Sequence, residues 1–289
     1  VREFNETTIT QAVIEQFNAQ DPRLQSILAS LVTHLHDFIR EVEPTEEEWF
    51  KGIMFLTQVG QMCDDNRQEF ILLSDTLGVS ILVDAVNHRV GEGTTETTVL
   101  GPFHTDHAKP MELGAQIAST TELAKGQPTV VHGQITDPSG QPIAGAKVDV
   151  WQASSEGFYD VQMGHGESDL RGIFITDAEG KFWFKSIKPV AYPIPHDGPV
   201  GKMLRATGRH PYRPAHIHYM ISAEGYETLI THVFVSGDEY LDSDAVFAVK
   251  NSLVADFIEN NDPQAAASLG YSAPFYELTF NFGLKPQAQ

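Results

Sequence analysis

Val130-Val131-His132-Gly133-Gln134-Ile135 is followed by Asp137-Pro138-Ser139-Gly140 and then by Lys147-Val148-Asp149-Val150-Trp151. The outer pieces are rich in β-branched and aromatic residues. The piece between them is a turn in which Pro138 fixes φ and Gly140 tolerates a positive one. The pattern recurs downstream, where Asp177-Ala178-Glu179-Gly180 is a second such turn and Lys181-Phe182-Trp183-Phe184 opens another strand. Many short strands punctuated by glycine and proline imply an antiparallel β-sandwich or barrel, not parallel βαβ units.

Toward the N-terminus the period changes from two to that of a helix. Leu24, Ile27, Leu28, Leu31, Leu35, Phe38, Ile39 and Val42 recur at helical spacing, with Asp21 as N-cap and Pro22 in the first turn. Thr45 with Glu48 reads as a capping box for a second helix through Trp49, Ile53 and Leu56. Ile9, Val13 and Phe17 mark a short opening helix, and a further one is expected over Arg67 to Val86 in spite of Gly78. The fold expected is mainly β with an α-helical N-terminal region, a helical part over 1–95 and a β-sandwich over 96–289. No long linker, low-complexity tract or internal repeat separates them.

With 289 residues, 41% hydrophobic and 20% charged, the chain is long and apolar enough for a full core. A formal net charge of −20 repels nucleic acid and anionic lipid headgroups, so neither nucleic acid nor membrane is an expected partner. Cys63 is the only cysteine, which excludes an intrachain disulfide and a thiolate metal cluster. Val1-Arg2-Glu3-Phe4-Asn5 has neither the basic start nor the apolar run of a signal peptide, and the expectation is a cytoplasmic protein.

Arg213-Pro214-Ala215-His216-Ile217-His218 lies in a β-patterned run, where residues two apart project from one face. His216 and His218 are thus close enough to bind one metal. Tyr159, in Gly157-Phe158-Tyr159-Asp160, and Tyr192, in Tyr192-Pro193-Ile194-Pro195, occupy unusual settings and suggest with the histidines a two-Tyr, two-His iron site. Each residue also has an ordinary reading: satisfied core histidines, tyrosines at the edge of a core, an arginine in a surface ion pair. Joint context favours a site, because prolines restrict the backbone around both Tyr192 and Arg213. Two rivals remain on the residues alone. One is a cupin-like or extradiol Fe(II) oxygenase using His216, His218 and a carboxylate such as Glu227. The other is a non-catalytic β-sandwich binding module.

A set of fragments narrows these choices. They are Leu100-Gly101-Pro102-Phe103, Gly133 through the Asp137-Pro138-Ser139-Gly140 turn, Trp151-Gln152-Ala153 and Gly157-Phe158-Tyr159-Asp160. Leu170-Arg171-Gly172, Thr176-Asp177, the Tyr192-Pro193-Ile194-Pro195 run and Arg213 through His218 complete the set. In this order and spacing the chain resembles the intradiol ring-cleaving dioxygenases, the catechol and hydroxyquinol 1,2-dioxygenase family, over most of its length.

The resemblance implies one Fe(III) per subunit, held by Tyr159, Tyr192, His216 and His218, with Tyr192 and His218 axial. Two phenolates suit a trivalent ion, which lowers the phenol pKa from its usual value of about 10. It implies oxygen insertion between the two hydroxyl-bearing carbons of an aromatic diol or triol, with Tyr192 taking a substrate proton and Arg213 stabilising negative charge on the ring. Leu72 and Asp75, three apart on a helix, are expected over the substrate beside Leu100, Gly101, Pro102, Phe103, Ile194, Pro195 and Val246. That set resembles the hydroxyquinol branch, which converts benzene-1,2,4-triol and O2 to 3-hydroxy-cis,cis-muconate or maleylacetate in aromatic degradation. Catechol or chlorocatechol cleavage is the alternative. His232 stands where catechol-cleaving members typically carry glutamine, and is read as supporting the ligands without joining them. The resemblance also implies a homodimer built by the helical region, with phospholipid in a tunnel between subunits.

Overall fold

The computed structural model describes residues 3–64, 67–106, 108–163 and 168–287. It divides into two compact units, residues 1–61 and 62–289. The first is helical: α1 (Ile9–Ile14), α2 (Pro22–Val42) and α3 (Glu46–Gln61). The Asp21 carboxylate accepts the Arg23 backbone N–H at 2.8 Å, capping α2 as its sequence requires. The box at α3 is reciprocal, with Glu48 Oε2 accepting from Thr45 N–H at 2.9 Å and Thr45 Oγ1 accepting from Glu48 N–H at 3.2 Å. The apolar stripe of α2, including Leu24, Leu31, Leu35, Phe38 and Val42, is exposed. No helix among the described residues is long and apolar enough to cross a membrane.

Two helical expectations need correction. The opening helix stops at Ile14, short of Phe17. The helix expected from Arg67 to Val86 is two helices, α4 (Glu69–Thr76) and α5 (Val79–Asn87), because Gly78 takes a left-handed φ of 73° and turns the chain between them. A continuous apolar period concealed that break.

The larger unit contains the sandwich. Its strands are β1 (Pro128–Thr136), β2 (Lys147–Gln152), β3 (Arg171–Ile175), β4 (Lys181–Ile187), β5 (Tyr192–Pro193) and β6 (Tyr212–Arg213). They continue as β7 (His216–Ser222), β8 (Leu229–Val235), β9 (Val254–Ala255), β10 (Ile258–Asn260), β11 (Phe275–Thr279) and β12 (Phe282–Gly283). One sheet runs β10-β11-β1-β12 with β4 also on β1, the second runs β3-β2-β7-β8-β9, and β5 and β6 form a separate ribbon. The two expected turns are present, with Gly140 N–H on the Asp137 carbonyl and Gly180 N–H on the Asp177 carbonyl, both at 3.0 Å. The consecutive pairs β2–β3, β5–β6, β7–β8 and β10–β11 are antiparallel as expected, but β11 and β12 run parallel to β1, and β9 runs parallel to β8. Tight turns dictate antiparallel pairing only for adjacent strands, and these partners are joined by long connections.

Alternation on the second sheet separates core from site. Val148 and Val150 of β2, Ile217, Tyr219 and Ile221 of β7, and Val233 and Val235 of β8 face inward and pack with Val131, Ile135, Phe182 and Phe184 of the other sheet. The intervening residues, Trp151, His216, His218, His232 and Phe234, must then project from the opposite face. That face is no less buried.

Candidate metal centre

Register brings the outward-facing residues together. Trp151 lies opposite His218 on β2 and β7, and His218 lies opposite His232 on β7 and β8. The Trp151 and His218 rings stack at 4.7 Å, and the His218 and His232 rings are 4.2 Å apart. The ribbon adds the next pair, since Tyr192 of β5 is the register partner of Arg213 on β6. Tyr159 enters from the turn before α6 (Asp160–Met163). Its backbone N–H donates to Gln162 Oε1 at 2.9 Å, while Asp160 pairs with Arg171, whose guanidinium also donates to the Phe103 carbonyl. This one ion pair therefore joins three of the sequence fragments. Gly157, at a φ of 83°, lets the turn approach Tyr192 so closely that an added Cβ would sit 2.9 Å from the Tyr192 Cβ.

Four donor atoms close into a ring. The Tyr159 hydroxyl donates to Tyr192 Oη at 3.0 Å and lies 2.9 Å from His218 Nε2. His218 Nε2 is 3.1 Å from His216 Nε2, which is 3.4 Å from Tyr192 Oη. Donors about 2.0–2.1 Å from one first-row ion stand about 2.9 Å apart at a right angle and about 3.4 Å apart at a tetrahedral one. All four sides of the ring match that spacing. His216 Nδ1–H donates to the Pro214 carbonyl at 2.7 Å, so its Nε2 carries the lone pair. His218 Nδ1 and His232 Nε2 are buried with no hydrogen-bond partner.

Electrostatics point the same way. Burial, reinforced for all three by the Arg213 charge, holds His216, His218 and His232 well below the ordinary histidine range, in the neutral form that ligates metals. Burial pushes the Tyr159 phenol well above its ordinary value and raises Tyr192 too, although Arg213 opposes the latter shift. Without a cation both phenols stay protonated. Burial also works against the charge on Arg213, but Asp244 and the tyrosines outweigh it and raise its pKa. His216, His218 and His232 alone form a three-histidine group whose ring nitrogens lie within 4.8 Å of one another. His232 is, however, also engaged through Nδ1 with the buried Thr98 hydroxyl.

The ring-pocket candidates fall into groups. Leu72 of α4 packs with Ile194 and Val246 in one cluster. Asp75 is buried, its pKa raised by burial and opposed by the Ser80 hydroxyl and the Arg213 charge. Phe103 stacks on Tyr159 at 4.5 Å, and a Cβ on Gly101 would lie 3.2 Å from His218 Cε1. Leu100 and Pro102 are exposed and Pro195 is half-buried. Glu227 pairs with Lys285 at 3.0 Å instead of joining the histidines, so it is not the carboxylate that the extradiol alternative requires. Sequence reasoning missed Asp244, Trp151 and Thr98 as members of the centre. The one available signal was that a buried Arg213 requires a counter-charge.

A buried set of two phenols and two imidazoles on the outer face of a mixed β-sandwich, with a charged guanidinium beside it, is a donor set that could hold a metal ion. Comparison with known proteins identifies the family. Residues 99–286 match the family model described as Dioxygenase, and residues 21–95 match Catechol dioxygenase N terminus. The chain is 54% identical over 272 residues to hydroxyquinol 1,2-dioxygenase of Rhizobium sp. (strain MTP-10005), covering 93% of this chain and 91% of the relative. It is 50% identical to 6-chlorohydroxyquinol 1,2-dioxygenase of Cupriavidus pinatubonensis, covering 99% of each. The crystal structure of hydroxyquinol 1,2-dioxygenase from Pseudomonas putida DLL-E4 superposes with a TM-score of 0.92 at 46% identity, covering 98% of this chain and 99% of that one. The chain belongs to the intradiol ring-cleaving dioxygenase family.

Proposed function

We propose that this protein is a non-haem Fe(III) enzyme that cleaves hydroxyquinol with O2 to 3-hydroxy-cis,cis-muconate, the enol form of maleylacetate, and holds one iron per subunit through Tyr159, Tyr192, His216 and His218. The observation that carries this reading is the closed ring of four donor atoms with sides of 2.9 to 3.4 Å. Two phenol oxygens among four donors favour a hard trivalent ion over Fe(II) or Zn(II). The substrate is inferred from the three relatives described above, each named for hydroxyquinol or its chloro derivative.

When bound, ferric iron supplies a Lewis acid that favours the doubly deprotonated diol and accepts electron density from its ring. The side chains do the rest. Tyr192 takes one substrate proton onto its phenolate oxygen. Arg213, buried beside Tyr192 and His216, stabilises negative charge on the ring in a site that water does not screen. Leu72, Ile194 and Val246 give the ring an apolar wall, and His232 keeps the ligand imidazoles packed from behind. Leu100, Gly101, Pro102, Phe103 and Pro195 border the entrance. We further assign residues 1–95 as a helical dimerisation and linker region and 96–289 as the iron-binding catalytic β-sandwich, supported by the exposed apolar stripe on α2, which suits a homodimer whose interface takes up phospholipid chains.

Asp75 is the proposed discriminator. Its carboxylate would accept a hydrogen bond from the third hydroxyl of hydroxyquinol, a group that catechol lacks. A hydrogen bond to a charged group contributes about 1.5–3 kcal/mol, or roughly ten- to a hundredfold in selectivity. Facing an unsubstituted ring, the same carboxylate loses solvation and gains nothing. Asp75→Ala is expected to lower kcat/KM for hydroxyquinol by that factor and to leave catechol unchanged or improved, measured at matched iron content with product analysis. Equal losses on both substrates would reduce Asp75 to a helix-supporting role, and muconate production from catechol alone would overturn the substrate assignment.

A further inference from the structure

Arg213 uses only one edge of its guanidinium toward the site. Its Nη1 lies 3.3 Å from His216 Nε2. The opposite edge faces Asp244, with Nε donating to Oδ1 at 3.2 Å and Nη2 donating to Oδ2 at 3.4 Å. The two side chains are 4% and 2% exposed, so water does not screen this pair. The same two oxygens accept backbone N–H groups, Oδ1 from Val246 at 3.3 Å and Oδ2 from Ala248 at 3.0 Å. With two donors on each oxygen the carboxylate is fixed in its own loop and cannot follow the guanidinium if that group turns.

We propose that Asp244 is a positioning residue that aims the free edge of Arg213 at the reacting ring and, through its hold on the Val246 backbone, sets the ring wall in register with that charge. A planar guanidinium has one fork that matches a carboxylate, and engaging the Nε/Nη2 fork leaves Nη1 presented to the site. The device is economical because Val246, on the apolar wall, and Arg213, on the polar side, are referred to one fixed group. Two neighbouring contacts brace the loop: Ala245 N–H donates to the Tyr212 carbonyl at 3.1 Å, and Arg209 Nη2 donates to the Ala245 carbonyl at 2.9 Å. Asp244 does not touch the donor ring in this arrangement and acts through Arg213.

This inference rests on the functional reading above, and its test separates the two. In Asp244→Asn the amide nitrogen faces one guanidinium N–H and one backbone N–H whichever way it turns, donor against donor. With hydroxyquinol as substrate, and iron content and visible absorption matched to wild type, kcat is expected to fall about tenfold to a hundredfold, less than the loss of the donor itself. In an Arg213→Gln background the same change is expected to cost less than about twofold, since residues acting as a unit are not additive. A residue that merely supports the loop would give equal losses in both backgrounds, and that result overturns the proposal. An independent readout needs no turnover: in the 15N-labelled apoprotein the Arg213 Nε–H resonance, assigned by its loss in Arg213→Lys, is expected to be protected from exchange and to lose that protection in Asp244→Asn. Protection retained in Asp244→Asn also overturns the proposal. Should the asparagine variant fail to fold, Asp244→Glu keeps the charge but displaces its oxygens by one methylene. Wild-type kcat in the glutamate variant would then count against positioning, and a tenfold loss would support it. Wild-type protein that cleaves no aromatic diol refutes the functional reading, while the resonance still decides the pairing.

Discussion

Tyr192→Phe is expected to retain iron and lose turnover by about a hundredfold to ten-thousandfold, the usual cost of removing a general base. Three of the four donors survive the substitution, among them Tyr159 and His218, whose donor atoms lie 2.9 Å apart in the unsubstituted protein. The ring face of residue 192 is also preserved, so packing against Trp151, Ala153 and Tyr159 does not change. What disappears is one phenolate oxygen, and with it the acceptor for a substrate proton. The measurement is kcat for hydroxyquinol per bound iron. Turnover within a few fold of wild type would make Tyr192 a structural tyrosine, and its place in the donor ring would then be an accident of packing.

Arg213→Gln is expected to cost about a hundredfold to a thousandfold in kcat, as removal of a preorganised charge or donor from a buried site does. Glutamine keeps two N–H donors but not the charge, and it leaves Asp244 buried without its partner. Iron content separates the two effects. If the variant binds iron normally and KM changes little, the loss lies in stabilising negative charge on the ring. If kcat is unchanged, Arg213 is only the counter-ion of Asp244. An Arg213→Lys variant is expected to recover little, because an ammonium cannot engage Asp244 by a fork and present a second edge to the site.

How much of this was legible beforehand follows from the distance over which each feature is encoded. A His-x-His pair in an alternating strand states locally that both rings share a face, and His216 and His218 do. That His232 and Trp151 lie on the same face depends on the register of β8 and β2 against β7, which no local pattern specifies. The parallel pairing of β11 with β1 was hidden for the same reason. Gly78 was visible but read as tolerated, since helical periodicity continues through it and only its left-handed φ breaks the helix. The motif fragments suggested Tyr159 and Tyr192, but the Asp160–Arg171 pair that explains why those fragments belong together became visible only in three dimensions. Asp244 had no motif, and its partner lies thirty-one residues earlier in the chain.

The central claim is that two phenolates and two imidazoles hold a ferric ion, and a visible absorption spectrum of the iron-loaded protein tests it most directly. Phenolate-to-Fe(III) charge transfer absorbs visible light, so the expected result is a red to brown protein with a broad band that shifts when an aromatic diol is added without oxygen. Tyr159→Phe is expected to alter that band. A colourless protein that is nevertheless iron-replete and active would contradict the account, and would transfer the site to the three-histidine group of His216, His218 and His232.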